Sequence, residues 1–196
     1  MNIYFIRHGK TQGNAENRYI GTTDESILKE EYKNLYSYRK PNVDMVYVSP
    51  MKRCMETANV IFPTHAIEVV DNLTECDFGE FEYKNFDELQ HNRKYQEWIK
   101  SNGSMGFPGG ESIKAFKKRS VECFDIIIWD AISKGYEGIA FVVHGGTIMS
   151  ILEEYSKPHR DYYDWQLKNA EAYVGSISNI LWRSNKCICN ISKYEG

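Results

Sequence analysis

MNIYFIRHGK, residues 1–10, and IAFVVHGGTI, residues 139–148, decide the fold between them. In each, a short run of β-branched, aromatic and other apolar side chains stops abruptly at a His-Gly pair. Residues 2–6 and 139–143 therefore read as buried strands, the first delivering Arg7 and His8 at its carboxyl end and the second His144. An apolar helical pattern over residues 147–155 follows the second strand. A similar unit lies between them: the apolar run 43–48 ends at Ser49-Pro50, and Met51, Met55 and Ala58 then recur at helical spacing until Pro63. Alternation of this kind predicts an α/β fold with a mostly parallel sheet.

Further from these units the pattern predicts a helix over 28–39, stopped before Pro41, and a short strand over 66–70. The acidic segment 74–83 has no clean period and reads as a loop, followed by a helix over 86–100. Residues 101–110 hold four glycines and a proline and read as a surface loop at a pocket edge. A long helix over 111–134 is closed by Gly135. Strands are expected over 172–175, 176–182 and 187–191, with a hairpin turn at Ser184-Asn185.

The chain has 196 residues, which suits one domain spanning 1–196. Hydrophobic residues make up 42%, charged residues 26% and aromatic residues 14%, so disorder and fibrous folds are excluded. Lys plus Arg is 24 against 27 for Asp plus Glu, a net charge of −3 with no strongly basic block, which argues against a nucleic-acid partner. The longest apolar runs fall far short of the roughly 20 residues a membrane helix needs. No basic leader precedes the first strand, and a cytoplasmic location is expected. Five cysteines imply no disulfide framework. Cys187 and Cys189 share one face of a β-like tail, and buried thiols suit them better than a metal site. Oligomeric state has no signature in the sequence.

In open α/β sheets, ligands bind beyond the carboxyl ends of the strands. The loops there carry Arg7 and His8, Arg53, and His144. Two guanidiniums offer fixed forks of donors to an anion with several oxygens, and a neutral imidazole is a capable nucleophile toward phosphorus. The set points to phosphoryl transfer through a phosphohistidine, with the arginines and the second histidine on the equatorial oxygens. An acid must protonate the leaving oxygen, and Glu75, Asp77, Glu80 and Glu82 all compete for that role. Metal binding by His8, His144 and a carboxylate is a rival reading, opposed by two arginines that would repel a cation. Simple structural roles are the other rival. His65, His91 and His159 read as surface or structural residues.

These residues sit in motifs that resemble the histidine phosphatase family, also called phosphoglycerate mutase-like. RHGKTQGN (7–14) is similar to that family's RHG-x-T-x-x-N, SPMKRCMETA (49–58) to SPLxRxxxTA, and LTECDFGEFE (73–82) to LxExxFGxxEG. RYIGTTD (18–24), FPGGES (107–112) and VVHGGTI (142–148) resemble further blocks in the same order. The resemblance implies a three-layer α/β/α sandwich, His8 as nucleophile and Arg7 and Arg53 as phosphate ligands. It further implies Glu75 as proton donor, His144 opposite His8, and Asn14, Gly21 and Gly145 in the phosphate or substrate pocket. It implies no metal or cofactor, and a small-molecule phosphate ester as partner.

Chain length and DFGEFE look most like the small phosphatase branch, similar to α-ribazole phosphatase and fructose-2,6-bisphosphatase, so α-ribazole phosphate is a candidate substrate. The alternatives are a cofactor-dependent phosphoglycerate mutase, against which Phe78 stands where such enzymes carry tyrosine, and a catalytically weak phospho-ligand binding module. Departures fall at Lys10, usually Glu or Gln, at Ile20, often polar, and at Tyr83, usually glycine. They bear on substrate choice, as do the loops 72–85 and 101–110.

Overall fold

The computed structural model describes residues 1–101 and 105–195. In chain order the main elements are β1 (Asn2–Arg7), α1 (Gln12–Ala15), α2 (Glu31–Tyr36), β2 (Met45–Val48), α3 (Lys52–Ile61), β3 (Ile67–Val69), α4 (Phe86–Leu89), α5 (Arg93–Lys100), α6 (Ile113–Ser133), β4 (Gly138–Val143), α7 (Gly145–Tyr155), β5 (Ala172–Ser176) and β6 (Cys189–Tyr194). The strands form one sheet in the order β3-β2-β4-β1-β5-β6. The pairs β2–β3, β2–β4 and β1–β4 are parallel, while β5 and β6 close one side antiparallel.

Alternation along β4 explains the layers. Ile139, Phe141 and Val143 face a cluster built with Phe124, Ile127 and Ile128 of α6 and Ile148, Ile151 and Leu152 of α7. Ala140 and Val142 face the other side, against Leu35 of α2 and Cys54, Ala58 and Ile61 of α3. Period-two side chains on a strand covered on both faces read as one continuous apolar run, as residues 139–143 do. The result is the expected α/β/α arrangement. No helix among the described residues is long and apolar enough to cross a membrane.

Four expectations need correction. The helix expected over 28–39 is confined to Glu31–Tyr36, because Ile27 bridges to Thr11 and the Leu28 N–H donates to the Lys10 carbonyl, holding that stretch extended. The helix expected over 86–100 is two, since Asn85 caps α4 and Asn92 caps α5; each side-chain oxygen accepts from an N–H three residues on. The strand expected over 176–182 ends at Ser176, and Leu181–Arg183 forms a 3-10 turn. There Trp182 is buried against Phe124 and Tyr155 and its indole N–H donates to Asp125, a packing that an extended chain would lose. The last strand runs Cys189–Tyr194, later than expected. Part of the loop expected over 101–110, residues 102–104, lies outside the described residues. All five cysteines are free thiols, with the Cys187 and Cys189 sulfurs 3.8 Å apart.

Candidate active site

Register brings the two histidines together. Arg7 pairs with Val143 across β1 and β4, so the next residue of each strand, His8 and His144, emerges at the same level. Their ring centroids are 5.2 Å apart at an interplanar angle of 64°. Neighbouring β2 ends at Val48, and the following turn leads into α3, whose second residue is Arg53. Thr57, one turn along α3, ties the two motifs: its hydroxyl accepts from the Gly9 N–H at 2.9 Å and donates to the Arg53 carbonyl at 2.6 Å.

The His8 ring is 4% exposed, and its Nδ1 lies 2.8 Å from the Gly9 carbonyl. A carbonyl only accepts, so Nδ1 carries the proton and Nε2 keeps its lone pair. Burial, followed by the Arg53 and Arg7 charges, holds the imidazole well below its ordinary pKa, so it is neutral at pH 7. His144 is fully buried, and its Nδ1 accepts from Arg53 Nε at 3.4 Å. Nε2–H is therefore left to donate to the Ser49 hydroxyl at 2.8 Å. Burial and Arg53 keep this ring neutral also. Both nitrogens of His144, expected on the equatorial oxygens, are thus engaged by Ser49 and Arg53.

Arg53 is fully buried and spends one N–H of each terminal nitrogen on the chain: Nη1 donates to the Thr23 carbonyl at 2.8 Å and Nη2 to the Gly21 carbonyl at 2.9 Å. Each terminal nitrogen keeps a second hydrogen for a ligand. Arg7 Nη1 donates to the Leu167 carbonyl at 2.5 Å, while its Nε is buried with no hydrogen-bond partner among the described residues. Gly145 packs flat against this guanidinium, where an added Cβ would lie 3.5 Å from its Cζ. Asn14 accepts at Oδ1 from the Thr11 N–H at 3.2 Å and from the Asn169 amide at 3.0 Å. Its own NH2 is thereby directed away from those partners. Gly21 enters at one remove, its N–H donating to Glu82 and its carbonyl holding Arg53.

The four competing carboxylates have separate fates. Glu82 accepts from the Gly21 and Thr23 N–H groups. Asp77 accepts from Gly79 within its own turn, and Glu80 pairs with Lys94 at the surface. Glu75 alone reaches the strand ends: its oxygens accept from the Cys76 N–H at 2.9 Å and from the Gly146 N–H at 3.1 Å, in the first turn of α7. Burial raises its pKa, outweighing those two N–H groups and the Arg53 and Arg7 charges. Neither nearby cysteine competes as a nucleophile, because burial pushes Cys54 up to about 12 and raises Cys76 as well. Among the described residues no group of three or more His, Cys, Asp or Glu side chains is placed to hold a metal ion.

Several supporting residues escaped the sequence reading. Arg119 of α6 donates to both oxygens of Glu111, at 2.8 and 2.9 Å, and to the carbonyls of Asn72, Thr74 and Glu75. It pins the segment that presents Glu75. Asn169 donates to the His8 carbonyl at 3.1 Å as well as to Asn14. Arg119 has no local signal, since Glu111 lies ahead of the Ser112 cap of α6 and the carbonyls it holds come from a distant stretch of chain. Gly79, at φ +53°, lets the DFGEFE turn lie against the backbone of Pro108–Gly110, where any Cβ would clash at 2.3 Å. Tyr83 takes φ +58° where the family pattern has glycine, and the Arg18 guanidinium covers its ring at 5.1 Å.

A chain whose parallel strands end in paired histidines and guanidiniums, with a buried carboxyl opposite, has the architecture of a phosphoryl-handling enzyme. It belongs to the histidine phosphatase superfamily (branch 1), which it matches over residues 3–189. The adenosylcobalamin/alpha-ribazole phosphatase of Escherichia coli is 26% identical over 160 residues, covering 78% of this chain and 77% of that protein. A 2,3-bisphosphoglycerate-dependent phosphoglycerate mutase of Parvibaculum lavamentivorans is 25% identical over 169 residues, covering 79% and 80%. Among solved structures, the alpha-ribazole phosphatase from Shigella flexneri superposes with a TM-score of 0.81 at 20% identity, covering 100% of this chain and 96% of the other. That likeness establishes the phosphoglycerate mutase-like fold.

Proposed function

We propose that this protein is a metal-independent phosphomonoesterase that turns over through a phosphohistidine on His8. The observation that carries the reading is the tautomer at His8: a neutral ring with Nδ1 held by Gly9, and an Nε2 that keeps its lone pair in the field of Arg53 and Arg7. Nε2 attacks phosphorus while Arg7, Arg53 and the Asn14 amide hold the equatorial oxygens. Gly145 lies beside the Arg7 guanidinium, and His144 orients Arg53. Glu75, whose burial raises its hold on a proton, gives a proton to the leaving oxygen and then takes one from the water that cleaves the P–N bond. The two arginines supply the positive charge that a metal would otherwise provide.

Five free thiols suit a reducing cytoplasm, where small phosphate esters are abundant. Phosphate release from a panel of α-ribazole phosphate, phosphoglycerates, phosphoserine, sugar phosphates and an aryl phosphate tests the reading directly. Hydrolysis is expected to proceed undiminished in EDTA. Loss of activity in EDTA that added metal restores would overturn the metal-free reading, and phosphoryl transfer to a second acceptor without phosphate release would favour a mutase.

The placement of Glu75 depends on Gly146. A Cβ there would lie 2.4 Å from Glu75 Oε1 and 3.0 Å from the Phe116 ring. Gly146→Ala is therefore expected to shift the carboxyl and lower kcat/KM by about a hundredfold, the scale of an ångström's misplacement. Circular dichroism of the variant should stay native, since α7 gains a better helix former. Unchanged kcat/KM would remove Glu75 from the reaction.

A further inference from the structure

We propose that Cys187 and Cys189 are a chelating pair for one soft, thiophilic cation, Cu(I), at the end of the sheet remote from His8. The site takes no part in the phosphoryl chemistry and stands independently of the phosphohistidine reading.

Ile188, between the two cysteines, is fixed on every side. Its N–H donates to the Tyr155 carbonyl at 2.7 Å and its carbonyl accepts from the Lys157 N–H at 2.9 Å, a parallel bridge opposite Ser156 at the end of α7. Its side chain is fully buried in space that Gly175 leaves open, since a Cβ added to Gly175 would lie 2.6 Å from Ile188 Cγ2. Successive side chains of an extended chain alternate, so a buried Ile188 turns both neighbours to the opposite side. The two thiols are half-buried there, not buried as the sequence suggests, with their sulfurs 3.8 Å apart. Ser176 holds the next stretch: its hydroxyl donates to the Cys189 carbonyl at 3.4 Å and accepts from the Asn190 amide at 3.2 Å.

That spacing decides the chemistry. A covalent bond would need the sulfurs at about 2 Å, with the flanking backbone drawn together against both hydrogen bonds of Ile188. One ion bound to both sulfurs at about 2.3 Å, with a trigonal or tetrahedral angle, holds them about 3.8 to 4.0 Å apart. The pair is therefore already set for an ion. Thiolates select soft cations, and a structural zinc takes four protein ligands. No third His, Cys, Asp or Glu among the described residues joins these two, which favours Cu(I) with a small thiol from solution completing its shell. Binding exchanges the two thiol protons for one cation, and copper stays Cu(I) throughout. Register sets the site apart from the phosphate pocket. Cys189 pairs with Ser176, and Ser176 with Asn2 at the start of β1. Six extended residues, about 20 Å, separate that level from His8.

The test equilibrates the full chain, without oxygen, with Cu(I) buffered by glutathione, then removes small molecules and counts the copper retained. One copper per chain is expected in the wild type. Cys187→Ser and Cys189→Ser should each lower the affinity by about a hundredfold or more, beyond what loss of an outer-shell partner costs. Both variants should release phosphate at the wild-type rate, which also shows that they fold. A wild type that retains no copper, or variants that retain as much as the wild type, would overturn the proposal. Two measurements need no variant. X-ray absorption of the loaded protein should show sulfur alone at about 2.3 Å, whereas nitrogen ligands would move the ion to the histidines and end the assignment. Bound Cu(I) should also protect Cys187 and Cys189 from alkylation by iodoacetamide, and undiminished labelling of both would count equally against it.

Discussion

His8→Ala is expected to lower phosphate release by about 10⁴-fold or more, the scale on which enzymes lose activity when a covalent nucleophile is deleted. The fold should survive. The only hydrogen bond that the His8 ring makes among the described residues is to the adjacent Gly9 carbonyl, whereas the main chain at residue 8 is held independently by Val143 and Asn169. The variant should therefore keep native circular dichroism and still bind inorganic phosphate through Arg7 and Arg53. A second readout isolates the covalent step. Rapid quenching of the wild-type protein with labelled substrate should trap label on the protein in a bond that acid cleaves and base spares, as expected of a P–N bond, and none should appear in His8→Ala. Turnover retained in the variant would end the phosphohistidine mechanism. Tight binding of esters with no turnover even in the wild type would leave a binding module, and a phosphoprotein that persists until an acceptor arrives would leave a mutase.

How far these residues are legible in the sequence follows from what kind of information fixes each. His8 and His144 were legible because each directly follows an apolar run, and a parallel register that pairs Arg7 with Val143 then makes them neighbours. Arg53 was legible for the same reason, one turn beyond a third strand. Local chemistry could not separate Glu75 from Asp77, Glu80 and Glu82, since all four lie in one aperiodic segment. The resemblance singles out Glu75, and of the four carboxylates it is the one that accepts from the first turn of α7. Arg119 and Asn169 were invisible because each acts on carbonyls supplied by distant stretches of chain. The strand expected over 176–182 failed for a related reason. Its apolar residues do not share a face: Trp182 is buried while Ile180 is 83% exposed, and the anchor for the indole is Asp125 on α6. Tertiary partners override local propensity at such places.

Glu75→Gln is expected to divide substrates by leaving group. With an alkyl phosphate the departing alkoxide is strongly basic and cannot leave unprotonated, so kcat/KM should fall by about 10²- to 10⁴-fold. With an aryl phosphate the phenolate leaves unaided and kcat/KM should fall far less. The ratio kcat/KM is the right quantity, because it reports only the steps up to release of the alcohol. The later step, attack of water on the phosphohistidine, also loses its base in this variant. Dephosphorylation should then limit turnover of the aryl ester, giving a burst of one equivalent of phenol followed by a slow steady state. The same carboxyl is expected to set the alkaline side of the pH profile. Burial holds its proton above the ordinary value of 4.5. Activity on alkyl esters must therefore decline as pH rises through the raised folded value, and Glu75→Gln should lack that decline. Stability has the corresponding sign. Between 4.5 and the folded value the unfolded chain gives up a proton that the folded protein keeps, so stability falls as pH rises across that window and levels off above it. The glutamine variant has no such group and should gain thermal stability relative to the wild type above the window. Equal losses on both esters, together with an unchanged alkaline limb, would take Glu75 out of the proton's path and return the choice to the three remaining carboxylates.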